Sequence, residues 1–258
     1  MLRKIYKILC HVYQVGIAYR FNYFIVQLAW VFPFVGIIVF WTAVYNGGTV
    51  NFIKGFSFSE MILYYILVQL ITRVTNSDID WNLWHSIRNG KMSYDLLRPI
   101  AYPVYWFSRS IGSILNGLIT AVFIFLLYML VLTPMLKLSI RIDFSNAFML
   151  VFSVLTAFIL GRLLCFVRTI RAFWWQDSGG LNWVEDLLLQ LLTGALIPIA
   201  FLPEKLRIIS GVLPFQYLIS FPIMSFLDKL TVQQYIMGIF VQIAWLCFFA
   251  GCAHILWY

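Results

Sequence analysis

Long apolar stretches recur along the 258 residues of this chain, and they limit the folds that it can adopt. Most of them have the roughly 20 residues that a helix needs to cross a bilayer. The second stretch is the weakest, because Gln69 and Arg73 interrupt it. We therefore predict one all-α membrane domain over residues 1–258 with six transmembrane helices. The six predicted spans are residues 21–45, 59–77, 104–132, 144–165, 181–202 and 232–257.

The composition agrees with a membrane protein. Charged residues make up 11% of the chain, whereas soluble domains average about 25%, so a water-exposed surface would lack polar cover. The formal net charge is +8, but the apolar composition argues against nucleic acid as a partner. Membrane lipids are the expected surroundings, and lipid-facing proteins collect Lys and Arg in cytoplasmic loops.

The basic residues also predict the orientation of the spans. Twelve of the 18 Lys and Arg residues lie in the N-terminal arm and in the connections at residues 73–109 and 162–180. Because such an excess marks the cytoplasmic side, we place both termini in the cytoplasm. Residues 1–20 are amphipathic, with Lys4 and Lys7 on the polar face. This pattern predicts an interfacial helix rather than a signal peptide, since no convincing small-residue cleavage site follows.

Residues 203–230 are apolar, yet Pro214 and Pro222 interrupt them. An interior proline removes a helix hydrogen bond, and hydrocarbon offers no replacement partner. We predict short re-entrant helices in the outer leaflet between the fifth and sixth spans, with Pro203, Pro214 and Phe215 at the turns. A seventh span, which would put the C-terminus outside, is the alternative.

A polar segment at residues 82–100 separates the second and third spans. Asn89 and Gly90 form a helix-stop signal, because both residue types tolerate the left-handed conformation. Ser93 is a candidate cap for the next helix, and Asp95 suits its first turn. We predict two short helices joined by a tight turn. The segment is either an ordinary cytoplasmic loop or a rigid docking surface for a soluble partner.

Glu185 and Asp186 stand near the start of the fifth apolar stretch. A charge at the bilayer centre costs on the order of 3 kcal/mol, so two adjacent acids are not expected deep in the membrane. Asn182 lies three residues before Glu185, which fits a capping-box variant at a helix N-terminus. The alternative is a cytoplasmic gate in which the acids meet arginines. The candidate arginines are Arg162, Arg168 and Arg171.

Sequence motifs for catalysis are missing from the chain. There is no GxxxxGK[ST] loop for nucleotide phosphates, no HExxH and no GxSxG. The three histidines are far apart, and the four cysteines form no CxxC pair, so neither a metal site nor a disulfide framework is expected. We predict that the chain alone is not an enzyme and binds no cofactor.

The sequence YDLLRPIAYPVYW, which follows the second span, resembles the permease subunits of ABC transporters of the ABC-2 export type. It is most similar to the branch that carries an LLRP sequence at this point. The stretch GALIPIAFLPEKLRIISGVLPFQY (residues 194–217) resembles the fifth span of that family followed by its re-entrant helices. The order of the predicted spans and connecting segments resembles that of the family over nearly the whole chain.

The resemblance implies the membrane half of an ATP-driven exporter in a bacterial cytoplasmic (inner) membrane. A separate ATPase subunit would hold ATP and Mg, and a second permease, identical or related, would complete the pathway. The substrate would be hydrophobic or amphipathic: a drug, an antibiotic, another toxic organic compound or a lipid. The polar segment would be the coupling helix that fits the ATPase, with Lys4 and Lys7 as a second contact. The implied contact residues are Arg88, Asn89, Gly90, Asp95, Leu96, Leu97, Arg98 and Pro99.

Two other classes of function compete with this one. An ATP-independent secondary transporter or channel usually shows inverted repeats or intramembrane charges, and neither is evident. A membrane-embedded enzyme would need a convergent set of polar catalytic residues, which we do not find in the sequence.

Overall fold

The computed structural model describes residues 6–12, 14, 20–45, 52–75, 79–136, 143–174 and 179–257. These residues are almost entirely helical, which confirms the all-α prediction. The helices, in chain order, are α1 (residues 6–12), α2 (Arg20–Val44), α3 (Phe58–Thr75), α4 (Ile79–Arg88), α5 (Met92–Leu96), α6 (Tyr102–Leu136), α7 (Phe144–Ile170), α8 (Gly179–Leu192), α9 (Glu204–Val212), α10 (Ser220–Phe226) and α11 (Val232–Trp257).

Within the described part of the chain, three helical stretches are long and apolar enough throughout to cross a membrane: Phe58–Thr75, Phe144–Phe173 and Val232–Trp257. Two further helices, α2 and α6, run for 25 and 35 residues, which exceeds the roughly 20 residues of a spanning helix. Part of their side chains lies outside the described residues. The chain is thus a multi-pass membrane protein, while the number of six spans stays a prediction.

The fifth predicted span is not one continuous helix. Helix α8 has 14 residues, a rise of about 21 Å, and hydrocarbon is about 30 Å thick. Beyond Leu192 the chain turns through Gly194, whose φ of +81° lies in the left-handed region. The prediction of a helix over residues 181–202 therefore needs correction, because a left-handed residue ends it early. Helix α8 also begins at Gly179, so Asn182 is not at its N-cap and the capping-box prediction is wrong.

Tyrosines from α3 stabilise the chain where α8 ends. Tyr64 donates its hydroxyl to the carbonyl oxygen of Gly194 at 2.7 Å, and Tyr65 donates to that of Leu196 at 3.0 Å. The backbone N–H of Ser220 donates to the Thr193 oxygen at 3.1 Å. Irregular backbone survives at membrane depth only where protein groups satisfy its polar atoms. The three hydrogen bonds to the oxygens of Gly194, Leu196 and Thr193 satisfy polar backbone atoms of this irregular stretch.

Residues 203–230 form short helices. After the exposed Pro203 come α9, the 3₁₀ helix Pro214–Leu218 and α10, none longer than nine residues. Their lengths argue against the seventh-span alternative. Pro214 is buried and Phe215 half-buried at the start of the 3₁₀ helix. Pro222, in contrast, does not break a helix as we predicted, because it lies in the first turn of α10, where an N–H has no intrahelical partner.

Helix α7 packs against α3, α4, α10 and α11, and so lies at the centre of the bundle. A fully buried Gln242 joins α11 to its neighbours. Its amide nitrogen donates to the carbonyl oxygens of Ser153 (3.2 Å) and Tyr217 (2.8 Å), and its amide oxygen accepts from Thr156 at 2.8 Å. Because every polar atom of this side chain is bonded, its burial is not penalised.

Glu60 organises the bundle end at which α3 begins. One carboxylate oxygen accepts from the backbone N–H of Ser57 at 2.7 Å, and the Ser57 hydroxyl oxygen accepts from the Glu60 N–H at 3.3 Å. The pair is therefore a capping box. The other carboxylate oxygen lies 2.5 Å from the ammonium nitrogen of Lys229, just before α11. The same ammonium donates to the Gly55 carbonyl at 3.1 Å.

Candidate functional site

The polar segment between α3 and α6 consists of two short helices and a tight turn, as predicted; we call residues 79–99 the α4–α5 segment. Helix α4 ends at Arg88, and Gly90 has a φ of +67°. Its backbone N–H donates to the Ile87 oxygen at 3.1 Å. Ser93 does not cap α5, contrary to our prediction, because α5 already begins at Met92 and its N-cap position, Lys91, makes no side-chain cap bond.

An apolar face seats the α4–α5 segment on the bundle. Leu83 and Met92 are buried in a cluster with aromatic residues of α6 and with the end of α7. The cluster members from α6 and α7 are Tyr102, Tyr105, Trp106, Phe166 and Ile170. Burial on one side holds both short helices in place, and the segment therefore presents a fixed surface on its other side.

That outward surface combines large apolar side chains with positive charge. Tyr94 is 77% exposed and Leu97 is 83% exposed, with Arg88 and Lys91 exposed nearby in the sequence. Exposed apolar side chains on a well-seated element make the α4–α5 segment the candidate site for binding a partner. Sequence reasoning missed Tyr94, although a tyrosine inside a polar segment was a visible signal. The exposed members of the predicted contact set are Arg88, Asn89, Gly90, Leu96, Leu97, Arg98 and Pro99.

Asp95 and Arg98 bind each other. The Arg98 Nε lies 2.9 Å from the Asp95 Oδ1, and the guanidinium carbon lies 4.6 Å from the centre of the Tyr105 ring on α6. An exposed pair of this kind contributes about 0–1 kcal/mol, and cation–π contact adds a similar amount. These two residues thus tie α5 to α6, besides any contact that they make with a partner.

Helix α1 lies at the same end of the bundle. A Cβ added to Gly112 of α6 would stand 3.0 Å from the Val12 Cβ, so the two helices are in close contact. Ile8 packs against the cluster that seats the α4–α5 segment. Lys7 is exposed, whereas Lys4 lies outside the described residues. The polar face of α1 is therefore presented near the α4–α5 segment.

Four charged residues join α8 to the end of α7 and to the 3₁₀ turn Arg171–Phe173 that follows it; we call Arg168, Arg171, Glu185 and Asp186 the ion-pair cluster. The Arg168 Nη2 lies 2.8 Å from the Asp186 Oδ1, and its Nε lies 3.7 Å from the Glu185 Oε2. Arg171 binds both carboxylate oxygens of Glu185 through its two terminal nitrogens. The structure thus brings together the four residues that the sequence suggested as a gate.

Arg162 is not part of that cluster, contrary to one of the pairings considered above. Its Nη2 donates instead to the backbone oxygen of Thr75, the last residue of α3. Among the described residues no group of three or more His, Cys, Asp and Glu side chains could hold a metal ion. No disulfide bond links the described cysteines.

Comparison with known families supplies one match. Residues 31–258 match the family described as ABC-2 family transporter protein. Comparisons with curated proteins and with solved structures return no match.

Proposed function

The chain belongs to the ABC-2 transporter family, and on that premise we propose that it is the membrane half of an ATP-driven exporter. A permease of this family is a membrane component of a transport complex and is not catalytic alone. It works with an ABC ATPase partner. In our proposal that partner holds ATP and Mg, and this chain supplies the path through the bilayer.

One observation carries the proposal: the α4–α5 segment is seated on its inner face and exposes Tyr94 and Leu97 on its outer face. These two side chains would enter a groove of the ATPase. Buried aromatic residues dominate binding at protein interfaces, so Tyr94 would be the main anchor. Arg88 and Lys91 would meet acidic residues at the rim, and Lys7 of α1 would add a second contact. Lys4 keeps the same proposed role.

The proposed topology has six spans, with α8 and the 3₁₀ helix Ile199–Phe201 together forming the fifth. Both termini, the α4–α5 segment and the ion-pair cluster would face the cytoplasm of a bacterium, on the side that holds most Lys and Arg residues. Residues 203–230 would dip into the outer leaflet. Helix α9 supports this placement, because it exposes Ile208 and Val212 beside charged neighbours, as interfacial helices do.

The ion-pair cluster is proposed as the cytoplasmic gate, closed in the state described here. Binding of ATP would move the α4–α5 segments of two permeases, identical or related, and separate α7 from α8. Such alternating access is a population shift between two packed states. The cargo would be hydrophobic or amphipathic, such as a drug, an antibiotic, another toxic organic compound or a lipid.

The test is purification of the tagged chain in mild detergent, followed by identification of its partners and an ATPase assay. We expect an ABC ATPase to co-purify. Tyr94→Ala combined with Leu97→Ala should weaken its binding about thirtyfold or more, since the loss of one interface anchor costs about 2 kcal/mol or more. The matched control is Ile208→Ala with Val212→Ala, two residues that are 62% and 68% exposed at α9.

Equal co-purification by both double variants would remove the docking role from the α4–α5 segment. Transport of solute into liposomes by the purified chain, without an ATPase, would favour the ATP-independent alternative. A deletion of residues 89–95 should separate these two ideas, because it leaves the spanning helices intact and removes the proposed contact.

A further inference from the structure

Arg162 is a buried cation inside a membrane-spanning helix. It lies in α7, eight residues before Ile170, and only 3% of its surface is exposed. Its guanidinium carbon lies 5.8 Å from the centre of the Phe158 ring, and its Nη2 donates to the Thr75 oxygen. A charge in such surroundings is costly unless it is hydrogen-bonded. Its position therefore calls for an explanation beyond packing.

One partner of Arg162 is the end of α3. The last four carbonyl oxygens of a helix have no intrahelical donor, and a cation suits the negative end of the helix dipole. Thr75 itself is buried. Residues 76–78, which lie outside the described residues, separate it from the start of α4 at Ile79. A link this short reaches at most about 14 Å, so the position of Thr75 limits the position of α4.

The end of α7 also contributes to the ion-pair cluster. Arg162 and Arg171 are nine residues apart, which is about two and a half helical turns. Arg171 begins the 3₁₀ turn Arg171–Phe173 that continues α7, and the two side chains point to different partners, Arg162 to the end of α3 and Arg171 to Glu185 of α8. This end of α7 is thus held by charged hydrogen bonds to α3 and to α8.

We propose that Arg162 is the positioning residue that transmits movement of the α4–α5 segment to α7, and through α7 to the ion-pair cluster. The proposal rests on the function proposed above, in which an ATPase moves the segment. The apolar contacts of the cluster that contains Leu83 and Phe166 hold the segment on the bundle but are non-directional. A charged hydrogen bond has a defined geometry and greater strength, so it keeps the end of α3 and α7 in register.

The first assay needs only the isolated chain in detergent. Arg162→Met keeps an unbranched apolar stem but removes the charge and the donors, and Arg162→Lys keeps a cation and a donor. The control, Thr156→Val, removes one hydrogen bond from the same helix. We expect the amides of residues 79–88 to exchange with deuterium about tenfold faster in Arg162→Met. Arg162→Lys should fall between that variant and the wild type, and Thr156→Val should match the wild type.

The second assay uses the complex with its co-purified ATPase in lipid nanodiscs. Spin labels on Phe173→Cys and Leu187→Cys, both exposed, report the separation of α7 and α8 after the native cysteines are replaced by serine. With adenylyl-imidodiphosphate, the distance in the wild type should increase. The Arg162→Met complex should still contain the ATPase but lose this increase, and Arg162→Lys should keep most of it.

A full distance increase in Arg162→Met, or unchanged exchange of residues 79–88, would overturn the proposal for Arg162 alone. If the wild-type complex shows no nucleotide-dependent increase, the proposed gate fails, and the transmission role fails with it. Should Arg162→Met not fold, Arg162→Gln takes its place with the same expected results, because it removes the charge and its shorter side chain withdraws the donor from the Thr75 oxygen.

Discussion

Replacement of Gly194 by alanine tests whether the break after α8 is fixed by its surroundings. Gly194 has a φ of +81°, and a non-glycine residue in the left-handed region costs about 1–2 kcal/mol. The added Cβ would lie 2.8 Å from the Tyr64 hydroxyl oxygen, 3.1 Å from the Ser220 Cβ and 3.2 Å from the Ile199 Cγ1. Overpacking of this kind adds about 1–3 kcal/mol. We expect a total loss of about 2–5 kcal/mol.

Gly55 provides a matched control. Its φ of +84° is nearly the same, but a Cβ there would meet no atom within 4 Å. Gly55→Ala should therefore lose only the backbone contribution, about 1–2 kcal/mol. The assay is unfolding of the detergent-solubilised chain by sodium dodecyl sulfate, followed by tryptophan fluorescence. Equal losses in the two variants would refute the idea that Tyr64, Ser220 and Ile199 confine this turn.

A double variant isolates the role of the Tyr64 hydroxyl. Tyr64→Phe removes the donor to the Gly194 oxygen, and it also removes the atom closest to the new Cβ. Gly194→Ala with Tyr64→Phe should thus be more stable than the sum of the single effects implies, by about 0.5–3 kcal/mol. If the stability loss of the double variant equals the sum of the losses of the two single variants, the proposed clash between the Tyr64 hydroxyl and the new Cβ is refuted.

Three further outcomes are expected. Asp95→Lys should lower the amount of solute transported per ATP hydrolysed without affecting membrane insertion, because a like charge beside Arg98 releases α5 from α6; an unchanged ratio would argue against this coupling role. Gln242→Leu leaves the Tyr217 oxygen without the Gln242 donor, at about 1–3 kcal/mol, whereas the Ser153 oxygen still accepts from the Thr156 hydroxyl at 2.9 Å; the same unfolding assay measures this loss against Ser225→Ala. Pro214→Ala should change labelling from the outer side more than ATPase co-purification, and loss of assembly would show that residues 203–230 are placed wrongly.

Features set by local chemistry could be predicted from the sequence. The tight turn at Asn89 and Gly90 follows from the backbone preferences of those two residues. The contact of Glu185 and Asp186 with arginines follows from the cost of leaving such charges unpaired beside a membrane. In the first case, the residues that form the turn are neighbours in the chain. In the second case, opposite charges attract each other strongly.

Features set by distant partners could not be predicted. Gly194 ends α8 where the apolar pattern continues, and the donors that satisfy its carbonyl come from α3, about 130 residues earlier. Ser93 and Asn182 are good cap residues, but α5 and α8 begin before them, since tertiary packing outweighs capping preference. The pairing of Arg162 with a backbone oxygen of α3 has no sequence signature, because any residue supplies a carbonyl.

The two oxygens of Glu60 serve different neighbours, and this has a consequence for how that end of the bundle can open. If the α10–α11 connection moves away from α3, the carboxylate loses Lys229 but retains the Ser57 N–H. The helix start would stay intact while water and ions replace the lost ammonium contact. This opening exposes the opposite charges of Glu60 and Lys229 to solvent. Higher ionic strength in the adjoining medium should screen their attraction and therefore make the opening easier.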